Sequence, residues 1–597
     1  MSEDKTADSL ANPILNSPYF PPEQHFELGP KGPTGTVLRG RRASESFIPV
    51  PPSRKGKKAD DAQVEIDFDV TGERREQNSL INDVRQRVEL WRNRGYPRVT
   101  PMTRWAGADG QRDDHMLFCQ REAAETAIYL AEVAGRHGEP DFRTRLTGHN
   151  ETHNGGLNRT ALKMATGSGK TVVMAMLIAW QTINKVATPR DARFSKRFRI
   201  TIRDRLRVLR PEEDVNYYAQ RDLVPQGLWP LMFEAQIVIT NYHSFLLRDS
   251  KEIKGVAANT RKLLLAGKNT DPFKETQDDM VSRVLRDFSG RAAGEIVVFN
   301  DEAHHCYQTL QAEEVPDPDA VEQPDREDKA RNEHAGVWFR GLQAIDRKVG
   351  VKSVFDLSAT PYYLSGSGYP EGYIFPWVVS DFSLMDSIES GIVKVPRMPV
   401  DDDAIGDAPT YLNLWEHIGK LLPKRMPKGQ LPGDWVPPSV LEGALESLYR
   451  SYRARFEAWE SHLKALGEPP PVMIIVCPNT TVSKLVFDWV AGVDLSADEA
   501  EPNIRPGRLP LLSNVVEGQW LDRPRSVLID SVALESGDTF KKEFKEAAAV
   551  ELEVFKNEYR RRNPGADVAK LTDEDLMREV MNTVGKTGKL GEQIRLV

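Results

Sequence analysis

The chain has 597 residues, is 40% hydrophobic and 28% charged, and carries a formal net charge of −8, so it can form several soluble cores, and any nucleic-acid contact has to come from a local basic patch. No stretch approaches the ~20 apolar residues of a membrane span, and no apolar core follows the Met1-Ser2-Glu3-Asp4-Lys5 start, so neither a membrane segment nor a secretory signal is expected. The three cysteines, Cys119, Cys306 and Cys477, lie far apart, which argues against a disulfide framework or zinc site and for a reducing, cytoplasmic setting.

Residues 1–75 are rich in Pro, Gly, Ser and charge, as in Pro49-Val50-Pro51-Pro52-Ser53-Arg54-Lys55-Gly56, and are expected to form a disordered tail. A helix follows with Leu80, Ile81, Val84, Val88 and Trp91 on one face, ended by Gly95 and Pro97. From about 118 to 395, helical stretches (120–134, 170–183) alternate with short apolar runs at Ala161–Met164, Ile237–Thr240, Ile296–Phe299 and Val354–Leu357. Such alternation predicts an α/β domain, over 76–395, whose parallel sheet is covered on both faces. A charged excursion at 312–334 is expected to be a surface loop. A second unit, 396–597, should hold a long helix opened by a Ser439/Glu442 capping box and ended before Gly467. In the same unit Val472–Val476 reads as a buried strand, 481–491 as a helix and Val527–Ile529 as a further strand.

Three motifs carry chemistry. Ala165-Thr166-Gly167-Ser168-Gly169-Lys170-Thr171 follows an apolar strand and opens an apolar helix. Glycines there let backbone N–H groups cradle phosphates, and the helix N-terminus adds a positive dipole. Lys170 would place a cation on the β- and γ-phosphates of ATP, and Thr171 a hydroxyl on Mg²⁺. Asp301 and Glu302 end the apolar run Val297-Val298-Phe299-Asn300; Asp301 would hold Mg²⁺ through water and Glu302 would polarise the attacking water. Ser358 and Thr360, in Leu357-Ser358-Ala359-Thr360-Pro361, could hydrogen-bond the acidic motif. A basic stretch from Arg193 to Arg210 (Arg193, Lys196, Arg197, Arg199, Arg203, Arg205, Arg207, Arg210) is either a phosphate-binding surface or a solvated helix face.

In this order the motifs resemble the first motor domain of superfamily-two DEAD/DEAH-like helicases. Phe118-Cys119-Gln120-Arg121-Glu122-Ala123, Thr201-Ile202-Arg203-Asp204-Arg205-Leu206, Ile239-Thr240-Asn241-Tyr242-His243 and Asp301–Tyr307 narrow the resemblance to the ATPase (res) subunit of type III restriction enzymes, from about residue 80 onward. The resemblance implies a RecA-like P-loop domain and a second, RecA-like one, ATP and Mg²⁺ as cofactors, and duplex DNA and a modification (methyltransferase) subunit as partners. It implies that Gln120 recognises adenine and that His304 links the acidic motif to Ser358 and Thr360.

Two departures from the family pattern shape the expectation. Phe194–Ile200 runs straight into Thr201, so the strand that normally precedes it should be short or missing. The chain closes on Gln593-Ile594-Arg595-Leu596-Val597, like the start of a strand, with no arginine motif of the Q-x-x-G-R-x-x-R form and no nuclease; Glu543-Phe544-Lys545 sits in an expected helix and is no nuclease site. The second RecA-like domain is therefore expected to be incomplete and turnover impaired. The reading is an ATP-driven translocase on duplex DNA within a restriction or phage-defence system. The alternatives are a non-catalytic ATP- or DNA-binding fragment and a P-loop ATPase switch with protein partners.

Overall fold

The computed structural model describes residues 12–29, 32–49, 73–100, 102, 116–136, 138–201, 208–213, 216–240, 242–247, 275–285, 295–310, 326–395, 411, 414–423, 435–495, 503–529, 556, 579–580 and 583–597. The chain divides into two compact units, Met1–Val395 and Pro396–Val597. No helix among the described residues is long and apolar enough to cross a membrane.

The first unit is α/β. Two antiparallel pairs come first: β1 (Gln24–Gly29) with β2 (Gly32–Arg39), and β3 (Glu45–Pro49) with β4 (Glu73–Gln77). The central sheet holds β5 (Arg159–Met164), β6 (Arg197–Thr201), β7 (Gln236–Thr240), β8 (Ile296–Asp301), β9 (Val351–Ser358) and β10 (Val378–Phe382). Its order is β10-β5-β9-β8-β6-β7 and every pairing is parallel.

Successive side chains of a strand point to opposite faces, so continuous apolar runs suit a sheet buried on both. Val297 and Phe299 of β8, with Phe198, Ile200, Phe355 and Leu357, join one core. That core is closed by helices α1 (Ser79–Asn93), α2 (Phe118–Glu132) and α4 (Lys170–Ala187); α3 (Phe142–Asn154) precedes β5. Ile296 and Val298, with Val238 and Val354, join a second core under α5 (Gln277–Val284) and α6 (Arg326–Val349). In α1 the five apolar residues expected on one face are the five that are buried.

The fold corrects several expectations. The strand before Thr201 is present: β6 lies between β8 and β7, with Phe198 and Ile200 fully buried. Residues 326–334 of the expected surface loop belong to α6, while 312–325 lie outside the described residues. The tail reading does not hold for residues 12–29 and 32–49. Three of their side chains reach buried carboxylates: Arg41 pairs with Glu122, Arg42 reaches Asp386 at 3.3 Å and Glu389 at 2.5 Å, and Ser44 Oγ donates to Asp381 at 2.6 Å. Composition counted those arginines as solvated, whereas buried carboxylates need such partners. Residues 50–72 lie outside the described residues.

Inside the sheet, the Arg159 and Asp356 side chains are 0% and 1% exposed and form an ion pair at 2.7 Å. Asp356 also accepts from Asn300 at 2.8 Å and Trp377 at 2.9 Å, and Arg159 donates to Asn154 at 3.0 Å and to the Cys306 carbonyl at 2.8 Å. Replacing Asp356 by Ala strands a buried guanidinium. The expected loss is about 3–5 kcal/mol, read from urea unfolding of the variant against the parent; a loss within ~1 kcal/mol would show that the pair is not a structural anchor.

The second unit contains helices α8 (Ser439–His462) and α9 (Thr480–Ala491), with α7 (Leu384–Glu389) closing the first unit. Its core joins Leu441, Leu445 and Phe456 of α8 to Val482, Val486 and Val490 of α9 and to Leu512 and Leu596. The capping box is not formed: Pro438 is the cap, without a side-chain bond, and Ser439 is already helical. Gly467, at φ +78°, ends the turn that follows α8. The strand expected at Val472–Val476 is not buried, since Ile474 is 69% and Val476 76% exposed. Single parallel bridges join Met473 to Leu596 and Leu596 to Ser526, and the named strands of this unit pair only in twos among the described residues. Ile594 and Leu596 are buried. Glu543-Phe544-Lys545 lies outside the described residues.

Candidate functional site

Open parallel sheets bind ligands outside the carboxyl ends of their strands. Here β5, β9 and β8 are neighbours, so the segments Ala165–Lys170, Ser358–Thr360 and Asp301–His304 leave the sheet side by side.

The loop after β5 is shaped by its glycines. Gly167 and Gly169 have φ +85° and +90°, a left-handed conformation that costs other residues about 1–2 kcal/mol. A Cβ on Gly169 would also strike the Gln120 amide nitrogen. Ser168 is buried and turns inward, its hydroxyl donating to the Ala165 carbonyl at 2.7 Å. Thr166 and Gly167 face solvent, and Lys170 and Thr171 are half-buried on the first turn of α4. The orphan N–H groups of a helix's first turn suit an anion there.

Lys170 Nζ donates to Glu302 Oε1 at 3.0 Å. Glu302 is itself unusual: its φ of +50° is left-handed for a non-glycine residue, a strain of roughly 1–3 kcal/mol that clusters at functional positions. Its backbone N–H donates to Asp301 Oδ1 at 3.1 Å. Burial, followed by the nearby Glu302 charge, pushes the Asp301 carboxyl up to about 6, with Lys170 opposing. His304 Nδ1 lies 2.9 Å from Ser358 Oγ and 3.5 Å from Glu302 Oε2. Burial, with His305 next to it, pushes the His304 imidazole down to about 4, so it is neutral near pH 7. Ser358 Oγ in turn accepts the Thr360 N–H at 3.1 Å, while Thr360 itself is exposed.

Lys170, Asp301, Glu302, His304 and Ser358 thus form one connected cluster, with Thr171 next to Lys170. Gln120 sits on the other flank of the loop. Its amide donates to the Ser168 carbonyl at 3.0 Å and accepts the Leu117 N–H at 3.2 Å, so it braces the loop. Within the basic stretch, three of the described residues pair with carboxylates. Arg193 pairs with Asp191 at 2.6 Å, Lys196 with Glu234 at 2.9 Å and Arg197 with Glu295 at 3.7 Å. Arg199 is buried, donating to Thr240 Oγ1 at 2.9 Å with its guanidinium 4.5 Å from the Phe245 ring centroid. Residues 203, 205 and 207 lie outside the described residues.

Among the described residues no group of three or more His, Cys, Asp or Glu could hold a metal alone. A hard dication of the Mg²⁺ type fits such a sparse set, because it keeps several waters and takes one or two protein oxygens plus ligand oxygens. Asp301 and the Thr171 hydroxyl are the candidates. Two supports escaped the sequence reading: Val393, whose Cγ2 lies 3.5 Å from where a Gly167 Cβ would be, and Arg159, which holds the Cys306 carbonyl behind the acidic turn. A charged residue inside an apolar strand was the available signal for Arg159; Val393 left none. No family model matches the chain, and no curated protein matches it.

Proposed function

We propose that the first unit is a RecA-like P-loop domain that binds and hydrolyses Mg²⁺–ATP, as the motor of a nucleic-acid translocase resembling the ATPase subunit of type III restriction enzymes. The observation that carries this is the meeting of Lys170 with Glu302, beside Asp301 and the His304–Ser358 pair, at the carboxyl ends of adjacent parallel strands. In this reading the loop N–H groups and Lys170 hold the β- and γ-phosphates. Thr171 and Asp301 take the cation, which neutralises phosphate charge when bound. Glu302 exchanges Lys170 for a water, which it orients and deprotonates for in-line attack. His304, neutral and joined to Ser358, couples the acidic turn to β9. Duplex DNA is the proposed activator, with a modification subunit as protein partner. The pairing of Arg193, Lys196 and Arg197 with carboxylates favours a second reading, a P-loop switch acting on a protein; turnover measured with and without duplex DNA separates the two, since only the motor is accelerated.

A pH profile tests the metal site. A cation needs Asp301 ionised, and its carboxyl titrates at about 6 in the free protein. The Mg²⁺-dependent part of nucleotide affinity should therefore fall about tenfold per pH unit below that value and level off above it. His304 stays neutral across this window, since it titrates at about 4. Asp301→Asn should bind more weakly with a flat profile; a parent profile flat from about pH 5 to 8 would remove Asp301 from the metal site.

A further inference from the structure

The N-terminal arm, residues 12–29 and 32–49, touches three elements that border the phosphate loop. Arg41 pairs with Glu122 of α2, its Nη2 donating to Oε2 at 2.7 Å, and also donates to the Asp381 carbonyl of β10 at 3.2 Å. Ser44 Oγ donates to the Asp381 carboxylate, whose other oxygen accepts from Lys163 Nζ at 2.8 Å. Arg42 donates to Glu389, the last residue of α7, at 2.5 Å and to Asp386 at 3.3 Å. The Leu15 and Asn16 N–H groups donate to the Glu389 carbonyl at 2.8 and 2.9 Å.

Each anchor stands a short step from the loop. Gln120, on the same helix as Glu122, donates to the Ser168 carbonyl. Lys163 precedes by two positions Ala165, whose N–H donates to the Phe382 carbonyl at 3.0 Å. Past Glu389, the Ile392 and Val393 N–H groups donate to the Ser387 carbonyl at 2.9 and 3.2 Å, and Val393 flanks Gly167. The arm thus joins the Gln120 side of the loop to the Val393 side. Its two arginines are shielded, with side chains 13% and 14% exposed, and their partners Glu122 and Glu389 are 5% and 1% exposed. Breaking pairs so buried is costly, whereas exposed pairs contribute little. The loop also needs holding: Gly167 and Gly169 are left-handed, and glycine loses more freedom on ordering than any other residue. Walls that fix the loop before a ligand arrives remove that cost from binding.

We propose that Arg41 and Arg42 are positioning residues for the phosphate loop, and that the arm carrying them is a strap that keeps the loop's two flanks at the spacing a nucleotide's phosphates require. The proposal rests on the phosphate-loop reading above. Both arginines act through other residues, so loosening the strap should weaken nucleotide binding and leave the chemistry at Glu302 intact.

Arg42→Ala/Glu389→Gln removes both charges of the closer α7 pair, so no lone carboxylate is left at Glu389. In the full chain it should weaken Mg²⁺–ATP about tenfold by calorimetry, while turnover at saturating ATP stays within about twofold of the parent's. Hydrogen exchange without nucleotide reads the strap itself. The Ala165 and Ser168 N–H groups are hydrogen-bonded, and their exchange should quicken while that of β8 amides 296–300 stays unchanged. Arg41→Lys/Arg42→Lys keeps the charges but not the forks and should fall between parent and double variant on both readouts. Unchanged loop exchange and unchanged ATP affinity in Arg42→Ala/Glu389→Gln would overturn the strap. Exchange that quickens equally at β8 would overturn it too, by showing general destabilisation. A parent that binds no ATP would overturn the phosphate-loop reading, and the strap's role in it, whatever the exchange at the loop.

Discussion

Lys170→Ala should reduce Mg²⁺–ATP affinity by about a hundredfold or more, the cost of removing one partner from a close, desolvated charge contact. The ammonium stands on the first turn of α4, where the helix dipole already favours phosphate, and the described geometry offers no second cation at that spot. The same substitution should hardly affect folding. Lys170 pairs with Glu302, whose side chain is 42% exposed, and an ion pair with one half in water contributes little. Calorimetry for ATP and thermal unfolding of the same sample test both halves. A large loss of stability would mean that the pair is architectural, and unchanged ATP affinity would end the phosphate-loop assignment. Lys170→Arg keeps charge but not shape and should bind with intermediate strength.

Glu302→Gln should lower hydrolysis by about 10²–10⁴-fold, the range expected when a positioned general base is lost. Binding should hold or tighten. In the free protein Lys170 is 3.0 Å from Glu302 Oε1, and ATP has to win the lysine from that carboxylate; a neutral amide competes less. The two variants therefore split in opposite directions, one losing binding and the other losing turnover. Single-turnover hydrolysis at saturating ATP measures the second. Turnover equal to the parent's would show that Glu302 serves only as the resting partner of Lys170.

The α/β architecture and the cluster around Lys170 were legible because each rests on a short local pattern. Apolar runs of strand length between helices predicted a parallel sheet, and a Gly-rich loop between a strand and a helix predicted where that sheet would open. What was illegible depended on distant partners. Phe194–Ile200 runs straight into Thr201 and hides the five-residue β6; a carboxylate from Glu295 and a ring from Phe245 accommodate its Arg197 and Arg199. The arm at residues 12–29 and 32–49 reads as a tail in sequence because the carboxylates that receive Arg41 and Arg42 lie in α2 and α7. The contact of the Gln120 amide with the Ser168 carbonyl left no local signal, because it joins residues 48 positions apart. Ser439 has the spacing of a cap, yet Pro438 takes the position because its fixed φ suits the entry to α8.

Steady-state ATP turnover of the full chain, with Mg²⁺ and with or without duplex DNA, and alongside Glu302→Gln, decides whether the Lys170–Glu302 cluster hydrolyses ATP. Phosphate release by the parent, a higher rate with duplex DNA, and near-complete loss in the variant while ATP still binds are expected. Phosphate release that persists in the variant, or a parent that never binds ATP, would contradict this expectation.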